Sequence, residues 1–230
     1  MSVKENIASL RVRIDRCAAR VQRTAYEIQI VAVAKTFPAA SIEEAISCGI
    51  GIIGENRVQE AIEKYRIIGD RVTWHMVGHL QTNKVKDALK IFSMIQSLDS
   101  LRLAQEIEKR ATTKVDCLIE VNTSGERTKF GLSPNDVLDF YGSIIACRHI
   151  DIQGLMTIGP GWAVEDPEAS RLCFRILRGL QEELAQEYDR PFPILSMGMT
   201  SDFEVAIEEG SNMIRIGTAL FGPRTQSGIE

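Results

Sequence analysis

The 230-residue sequence lacks the features that mark several classes of protein. It has no basic excess: 27 Lys and Arg stand against 31 Asp and Glu, and the isoelectric point is near 5.6. This balance argues against nucleic acid as the main partner. The apolar run at residues 30–34 stops at Lys35, and no run approaches the roughly 20 apolar residues that cross a bilayer. A secretory signal pattern is also missing, so we expect neither a membrane segment nor secretion.

Cysteine and histidine are too sparse and too scattered to form the usual frameworks. No two of the five cysteines form a CxxC pair, and their odd number predicts reduced thiols in a cytoplasmic protein. The three histidines do not cluster with other ligands, so we expect no metal site. The cysteines are Cys17, Cys48, Cys117, Cys147 and Cys173.

Common catalytic and nucleotide-binding motifs are absent or fail in context. The sequence has no P-loop and no GxSxG elbow. Residues 49–54 spell GxGxxG, but they follow a helical segment, so we interpret them as a helix stop followed by a strand. His75 and His79 lie four residues apart without the glutamate of HExxH, which favours a structural role for the strand histidine.

Short apolar runs alternate with longer segments whose apolar residues recur every three or four positions. Eight such runs predict eight strands, at residues 30–34, 51–54, 73–78, 91–96, 116–121, 150–156, 193–197 and 213–216. Strands that alternate with helices indicate a parallel sheet. We predict an α/β fold, a (β/α)₈ TIM barrel in which closure leaves no sheet edge; an open doubly wound sheet is the alternative. No linker divides residues 1–230, so we expect a single domain.

Residues 1–24 predict an extra helix ahead of the barrel. Ile7, Leu10, Ile14, Cys17 and Val21 form a narrow apolar stripe that would pack on the barrel wall, with arginines on the other faces. Further along, Ser41 and Glu44 have the spacing of a capping box and predict a helix that begins at residue 42.

Lys35 ends the first predicted strand. The carboxyl ends of barrel strands face the active site, so Lys35 would stand there among apolar walls that disfavour its ammonium form. A neutral lysine amine can attack an aldehyde. A lysine that extends to solvent is the alternative.

The loops after the last two strands carry hydroxyls and glycines. Gly217 and Thr218 follow strand eight, and residues 196–201 follow strand seven, where barrels often bind phosphate. Arg215 interrupts an apolar strand on the face opposite Ile214 and Ile216, so it needs a partner if it faces the lumen; a structural salt bridge is the alternative. An aldehyde-trapping lysine, a phosphate cradle and an internal arginine together suggest pyridoxal 5′-phosphate (PLP).

Six blocks of the sequence resemble the pyridoxal phosphate homeostasis protein family. They are VAVAKT at residues 31–36, GENRVQE at 54–60, WHMVGHLQTNK at 74–84, GLM at 154–156, LSMGMTSD at 195–202 and RIGTALFG at 215–222. The family is similar in fold to the barrel domain of alanine racemase, the fold type III of PLP proteins. Arg57 stands at a position that can be tyrosine in the family.

The resemblance implies a cofactor site. Lys35 would hold PLP as a Schiff base and Asn56 would lie beside the cofactor. Ser196, Gly217 and Thr218 would hold the phosphate, and Arg215 would face the pyridine nitrogen. Met156 and Met197 would line the pocket. Lys84 and Lys129 are candidate auxiliary amines for transfer of PLP.

Arg215 bears on the chemistry, because a guanidinium only donates and leaves the pyridine nitrogen unprotonated, which disfavours transamination. Racemisation needs a second acid–base group, which racemases of this fold take from a further domain; only eight residues follow Gly222, so we expect none. We therefore predict a monomeric PLP carrier or buffer that supplies apo-enzymes without robust catalysis. The alternatives are a small racemase that uses Tyr65, Tyr141 or a partner chain, and a regulatory module whose PLP occupancy controls a protein partner.

Overall fold

The computed structural model describes residues 2–223, and its centre is a closed barrel of eight parallel strands. Each strand pairs with the next along the chain, and the last pairs with the first. This topology confirms the (β/α)₈ barrel over the open sheet. The strands are β1 (Gln29–Val33), β2 (Ile52–Glu55), β3 (Thr73–Met76), β4 (Met94–Leu98), β5 (Val115–Glu120), β6 (Ile150–Met156), β7 (Ile194–Ser196) and β8 (Met213–Ile216).

Helices connect the strands on the outside of the barrel. Each buries an apolar stripe against the strands; in α5, for example, Leu103, Ala104 and Ile107 are buried. The helices are α1 (Val3–Arg20), α2 (Ala39–Ser47), α3 (Val58–Ile68), α4 (Val85–Ala88), α5 (Leu101–Arg110), α6 (Val137–Ile144), α7 (Arg171–Glu187), α8 (Phe203–Glu208) and α9 (Thr218–Phe221). None of these helices is long and apolar enough to span a membrane.

Strand alternation divides the apolar side chains into an outer core and a lumen. In β1, Ala32 belongs to the core between strands and helices, whereas Val31 and Val33 belong to a smaller cluster inside the barrel. The same cluster includes Val77, Met94, Leu118, Met156 and Met213. Side chains from most of the strands therefore fill the lumen, and the site can only form at its ends.

The leading helix packs on the barrel as predicted. Ser2 and Glu5 form a reciprocal capping box at the start of α1, and Ile7, Leu10, Ile14 and Cys17 are buried. The helix lies against α8 and α9, where Asn6 Nδ2 donates to Leu220 O at 3.1 Å.

The GxGxxG segment is a helix stop followed by a strand, as predicted. Helix α2 ends at Ser47, Gly49 has a φ of 81°, and β2 begins at Ile52. The predicted start of α2 is wrong, however. The helix begins at Ala39 because extended Pro38 serves as its N-cap, so Ser41 already lies in the first turn.

Candidate functional site

Lys35 and Asn56 follow the neighbouring strands β1 and β2 at the carboxyl rim of the barrel. Val33 and Gly54 are partners in the pairing of β1 with β2, and Lys35 and Asn56 each follow two residues later. Val33 and Gly54 both face the lumen, because Val33 belongs to the lumen cluster and a Cβ on Gly54 would contact the lumen valines. The side chain of Lys35 is partly buried.

Hydroxyls from the loops after β7 and β8 meet on the other side of β1. Thr218 Oγ1 donates to Thr200 Oγ1 at 3.3 Å, and the amide of Ala219 donates to the same hydroxyl at 3.2 Å. Gly217 lies next to β1, where a Cβ on it would be in ordinary van der Waals contact with Val33 O at 3.5 Å. The rim therefore offers hydroxyls and a glycine at the place where barrels often bind phosphate.

Beneath the rim, a hydrogen-bonded chain crosses the lumen. Arg215 donates to Ser196 Oγ and to Thr157 O, each at 2.7 Å, and Ser196 Oγ donates to Gln96 Oε1 at 2.7 Å. Gln96 Nε2 lies 2.9 Å from His75 Nδ1. Because arginine can only donate, the direction of every bond in the chain is fixed, and His75 Nδ1 must accept. Arg215 faces the lumen, and its hydrogen-bond partners there are neutral oxygens rather than a salt bridge.

Burial shapes the charges of this chain. Burial lowers the pKa of His75 to about 4, so the imidazole is neutral with its proton on Nε2. Burial lowers the pKa of Arg215 to about 10, opposed by the charges of Glu120 and Asp202, so the guanidinium stays charged at neutral pH. Burial, helped by Asp99 and opposed by Arg215, raises the pKa of Glu120 to about 7.

Three buried side-chain oxygens of the described residues have no hydrogen-bond partner. Glu55 Oε2 belongs to the carboxylate that pairs with Lys64, and the other two are Asn56 Oδ1 and Glu120 Oε2, at the carboxyl ends of β2 and β5. Both residues line a cavity of about 250 Å³, whose wall also includes Lys129 and Phe130. Because unpartnered buried polar atoms are rare in proteins, these two indicate a place for a polar ligand.

The structure places the remaining predicted site residues in two regions, the lumen and the outer core. Met156 is fully buried in the lumen cluster, close to the level of the rim. Ser196 is also fully buried, and both of its hydrogen bonds serve the lumen chain. Met197 packs in the outer core, between strands and helices. Phosphate binding by Ser196 and cofactor contact by Met197 therefore stay predictions.

The candidate auxiliary lysines stand on loops around the same rim. Lys129 Nζ donates to Gly159 O at 2.5 Å and forms an ion pair of 2.6 Å with Glu126. Lys84 and the exposed Arg57 line a neighbouring cavity of about 400 Å³, together with Asn56. Arg57 contacts Glu60 at 3.7 Å.

All four tyrosines of the sequence lie away from this rim. Tyr65 donates to Asp70, which precedes β3, and the hydroxyl of Tyr141 accepts from Arg190, which precedes β7. Tyr26 precedes β1, and Tyr188 follows α7 with its hydroxyl on Leu138 O. Since residues that precede parallel strands stand at the opposite end of the barrel from those that follow them, Tyr65 and Tyr141 are not beside Lys35.

Sequence reasoning missed Glu120 and Gln96, whereas the structural role expected for His75 fits its hydrogen bond with Gln96. Glu120 had a readable signal, because it ends an apolar strand just as Lys35 does. Gln96 had none, since its partners lie 21 and 100 positions away in the chain. As a whole, the rim combines an amine, hydroxyls and unpartnered acceptors above a fixed cation, which suits a small anionic molecule with an electrophilic carbon.

Comparison with known proteins gives a family for almost the whole chain. The family model described as "Alanine racemase, N-terminal domain" matches residues 2–225. A pyridoxal phosphate homeostasis protein from Aquifex aeolicus is 43% identical over 228 residues, covering 97% of this chain and 99% of the relative. The human protein of the same name is 35% identical over 232 residues, covering 94% of this chain and 84% of the relative.

Solved structures agree in fold. PipY from Synechococcus elongatus, in a structure with PLP bound, has a TM-score of 0.83 and 33% identity, covering 96% of this chain and 100% of its own. Alanine racemase from Corynebacterium glutamicum has a TM-score of 0.72 at 14% identity, covering 99% of this chain and 62% of its own. The second comparison concerns the fold alone.

Proposed function

Because this chain belongs to the pyridoxal phosphate homeostasis protein family, we propose that it binds PLP at the rim around Lys35 and serves in PLP homeostasis. PLP supplies an aldehyde that condenses with a lysine amine, and a phosphate that needs donors. Two observations support this ligand. Lys35 and Asn56, whose Oδ1 has no partner, follow paired strands at the same rim, and PipY, whose match covers 96% of this chain, has been solved with PLP bound.

The rim residues would divide the work of holding PLP. Lys35 would present its amine to the aldehyde carbon, and Asn56 would bond a polar group of the ring. Gly217 and Thr218, with Thr200, would hold the phosphate through backbone amides and hydroxyls. Arg215 would donate to the pyridine nitrogen and so leave it unprotonated, because a guanidinium has donors and no acceptor.

The protein would hold and deliver PLP without robust turnover. Racemisation needs acid–base groups on both faces of the substrate carbon, and the four tyrosines lie away from the rim of the described barrel. We place its work in the cytoplasm, as one domain acting as a monomer, with apo PLP enzymes as acceptors. Lys129 and Lys84 would assist release.

The decisive experiment identifies the lysine whose amine condenses with PLP. Purified protein with added PLP should show an absorbance band near the visible edge, and borohydride should fix the label on the peptide that contains Lys35. Lys35→Ala should lose the band and the label, whereas Lys114→Ala, an exposed lysine before β5, should keep both. A label on any other lysine in the unmodified protein would overturn the assignment.

Turnover separates the carrier from a small racemase. L-alanine and L-serine incubated with the PLP-loaded protein should keep their chirality, and an apo-enzyme added to it should gain PLP. Fast racemisation that disappears in Lys35→Ala would favour the enzyme instead.

A further inference from the structure

Two side chains of α3 hold the backbone on both sides of Lys35. Glu60 Oε2 accepts a hydrogen bond from the amide of Thr36 at 3.2 Å. Lys64 Nζ donates to the carbonyl of Ala34 at 2.7 Å. The peptide groups before and after Lys35 are therefore both bonded to one helix, and these bonds leave its side chain untouched.

The turn that these bonds hold is a demanding one. The carbonyl of Ala34 also accepts from the amide of Phe37 at 3.0 Å, which closes a tight turn directly after β1. Thr36 has a φ of 68°, in the left-handed region that β-branched residues rarely enter. Such a conformation persists only where the surrounding structure fixes it, and Glu60 supplies a contact that does so.

Lys64 is itself held in place by two carboxylates. It forms an ion pair of 2.5 Å with Glu55, the last residue of β2, and lies 3.9 Å from Glu60, one helical turn away. Glu55 is fully buried and 11% of the Lys64 side chain is exposed, so both charges have lost most of their water. The pair joins β2 to α3, and the further bond from Lys64 to Ala34 joins both to the turn.

We propose that Glu60 and Lys64 are positioning residues that fix where the amine of Lys35 stands. They act through the backbone of residues 34–36, where Glu60 bonds the amide of Thr36 and Lys64 bonds the carbonyl of Ala34. A misplaced reacting group lowers the rate of its reaction even when the fold is intact. The inference rests on the proposed function only in taking PLP as the molecule that the amine meets.

Glu60 offers the cleaner test, because its side chain is 30% exposed and its loss leaves no buried charge behind. In Glu60→Ala, hydrogen exchange at the Thr36 amide and acylation of Lys35 should both change about 10-fold in the ligand-free protein, the value of one hydrogen bond to a charged group. The amide should exchange faster, and the lysine should react more like an exposed one. Association with PLP should slow by a similar factor.

Glu60→Gln keeps an oxygen acceptor for Thr36 and should recover most of the change. Glu63→Ala alters an exposed glutamate of the same helix and should leave all three readouts as they are. The double variant Glu55→Gln/Lys64→Met removes the buried pair without stranding a charge, and should loosen the turn from the Ala34 side.

The readouts keep the two hypotheses apart. If the unmodified protein does not bind PLP, the proposed function fails, while exchange at Thr36 and labelling of Lys35 still decide the positioning role. A change of about 2-fold is smaller than the contribution of one hydrogen bond. The proposal is therefore overturned if the exchange rate at Thr36 and the labelling rate of Lys35 in Glu60→Ala both stay within about 2-fold of the unmodified protein. It is also overturned if Glu63→Ala causes the same change.

Discussion

The lumen chain and the rim above it are both polar, but they differ in burial and in how far their buried hydrogen-bonding groups are satisfied. In the lumen chain, Arg215, Ser196 and Gln96 bond one another in a fixed direction, and the chain ends at neutral His75. At the rim, Asn56 Oδ1 and Glu120 Oε2 have no partner. The two layers meet at Arg215, whose charge acts on Glu120.

This difference assigns different work to the two layers. A buried network in which every donor and acceptor is hydrogen-bonded is rigid, because any rearrangement would leave polar groups unpaired. Unpartnered atoms at the rim carry an energetic cost that a bound ligand can remove. The lumen chain should therefore matter for stability, and the rim should matter for binding.

Arg215→Met should have the largest effect on stability. It leaves Ser196 Oγ and Thr157 O in the lumen without their donor, so we expect a loss of about 3–5 kcal/mol in the free energy of unfolding, at about 1–3 kcal/mol for each buried acceptor left unsatisfied. Urea unfolding of the ligand-free protein measures this loss. Arg102→Met, which changes an exposed arginine of α5, should stay within about 0.5 kcal/mol. If Arg215→Met lowers the free energy of unfolding by no more than Arg102→Met does, the lumen chain does not stabilise the fold.

Glu120→Gln should have an intermediate effect, which depends on pH. The pKa of Glu120 is raised from 4.5 to about 7, so the folded state holds the proton more tightly than the unfolded chain. The carboxyl therefore lowers stability progressively as pH rises from about 4.5 to about 7, and the full penalty persists above that. At pH 8 the variant should be more stable than the unmodified protein by up to about 3 kcal/mol, at about 1.36 kcal/mol per pKa unit.

The comparison between variant and unmodified protein isolates this carboxyl. His75 contributes in the opposite direction, because its lowered pKa adds stability as pH rises from about 4 to 6.5. That contribution is common to both proteins and cancels in the difference. If the two unfolding curves differ equally at pH 4.5 and pH 8, Glu120 does not titrate as its surroundings require.

Local patterns predicted the barrel because each strand and helix carries its own signal. The lumen face of β1 is set by the alternation of Val31 and Val33 with Ala32. Alternation also placed Arg215 on the face opposite Ile214 and Ile216, and the structure shows that this face is the lumen. Strand ends were less certain: β4 begins at Met94 rather than residue 91, since the chain after α4 still bonds Phe92 N to Ala88 O.

Long-range pairing could not be read in the same way. The bonds of Gln96 with Ser196, and of Glu60 with Thr36, join positions 100 and 24 residues apart. Only barrel closure brings the first pair together, and only the docking of α3 beside the first turn makes the second. Whether a buried polar atom has a hydrogen-bond partner is likewise decided only when the site is assembled. A sequence motif that places Asn56 near a ligand does not show that its Oδ1 has no partner in the protein.

Asn56→Ala should change stability least and distinguish the two layers most clearly. Its Oδ1 has no partner to lose, so we expect the free energy of unfolding to change by less than about 1 kcal/mol. Affinity for PLP should fall about 10-fold, the contribution of one hydrogen bond made only in the complex. Absorbance titration measures the affinity, and Asn83→Ala, at an exposed position after β3, is the control. A large loss of stability with unchanged affinity for PLP would contradict this prediction. Asn56 would then stabilise the fold, as the lumen chain does, and the residues that bind PLP would lie elsewhere on the rim.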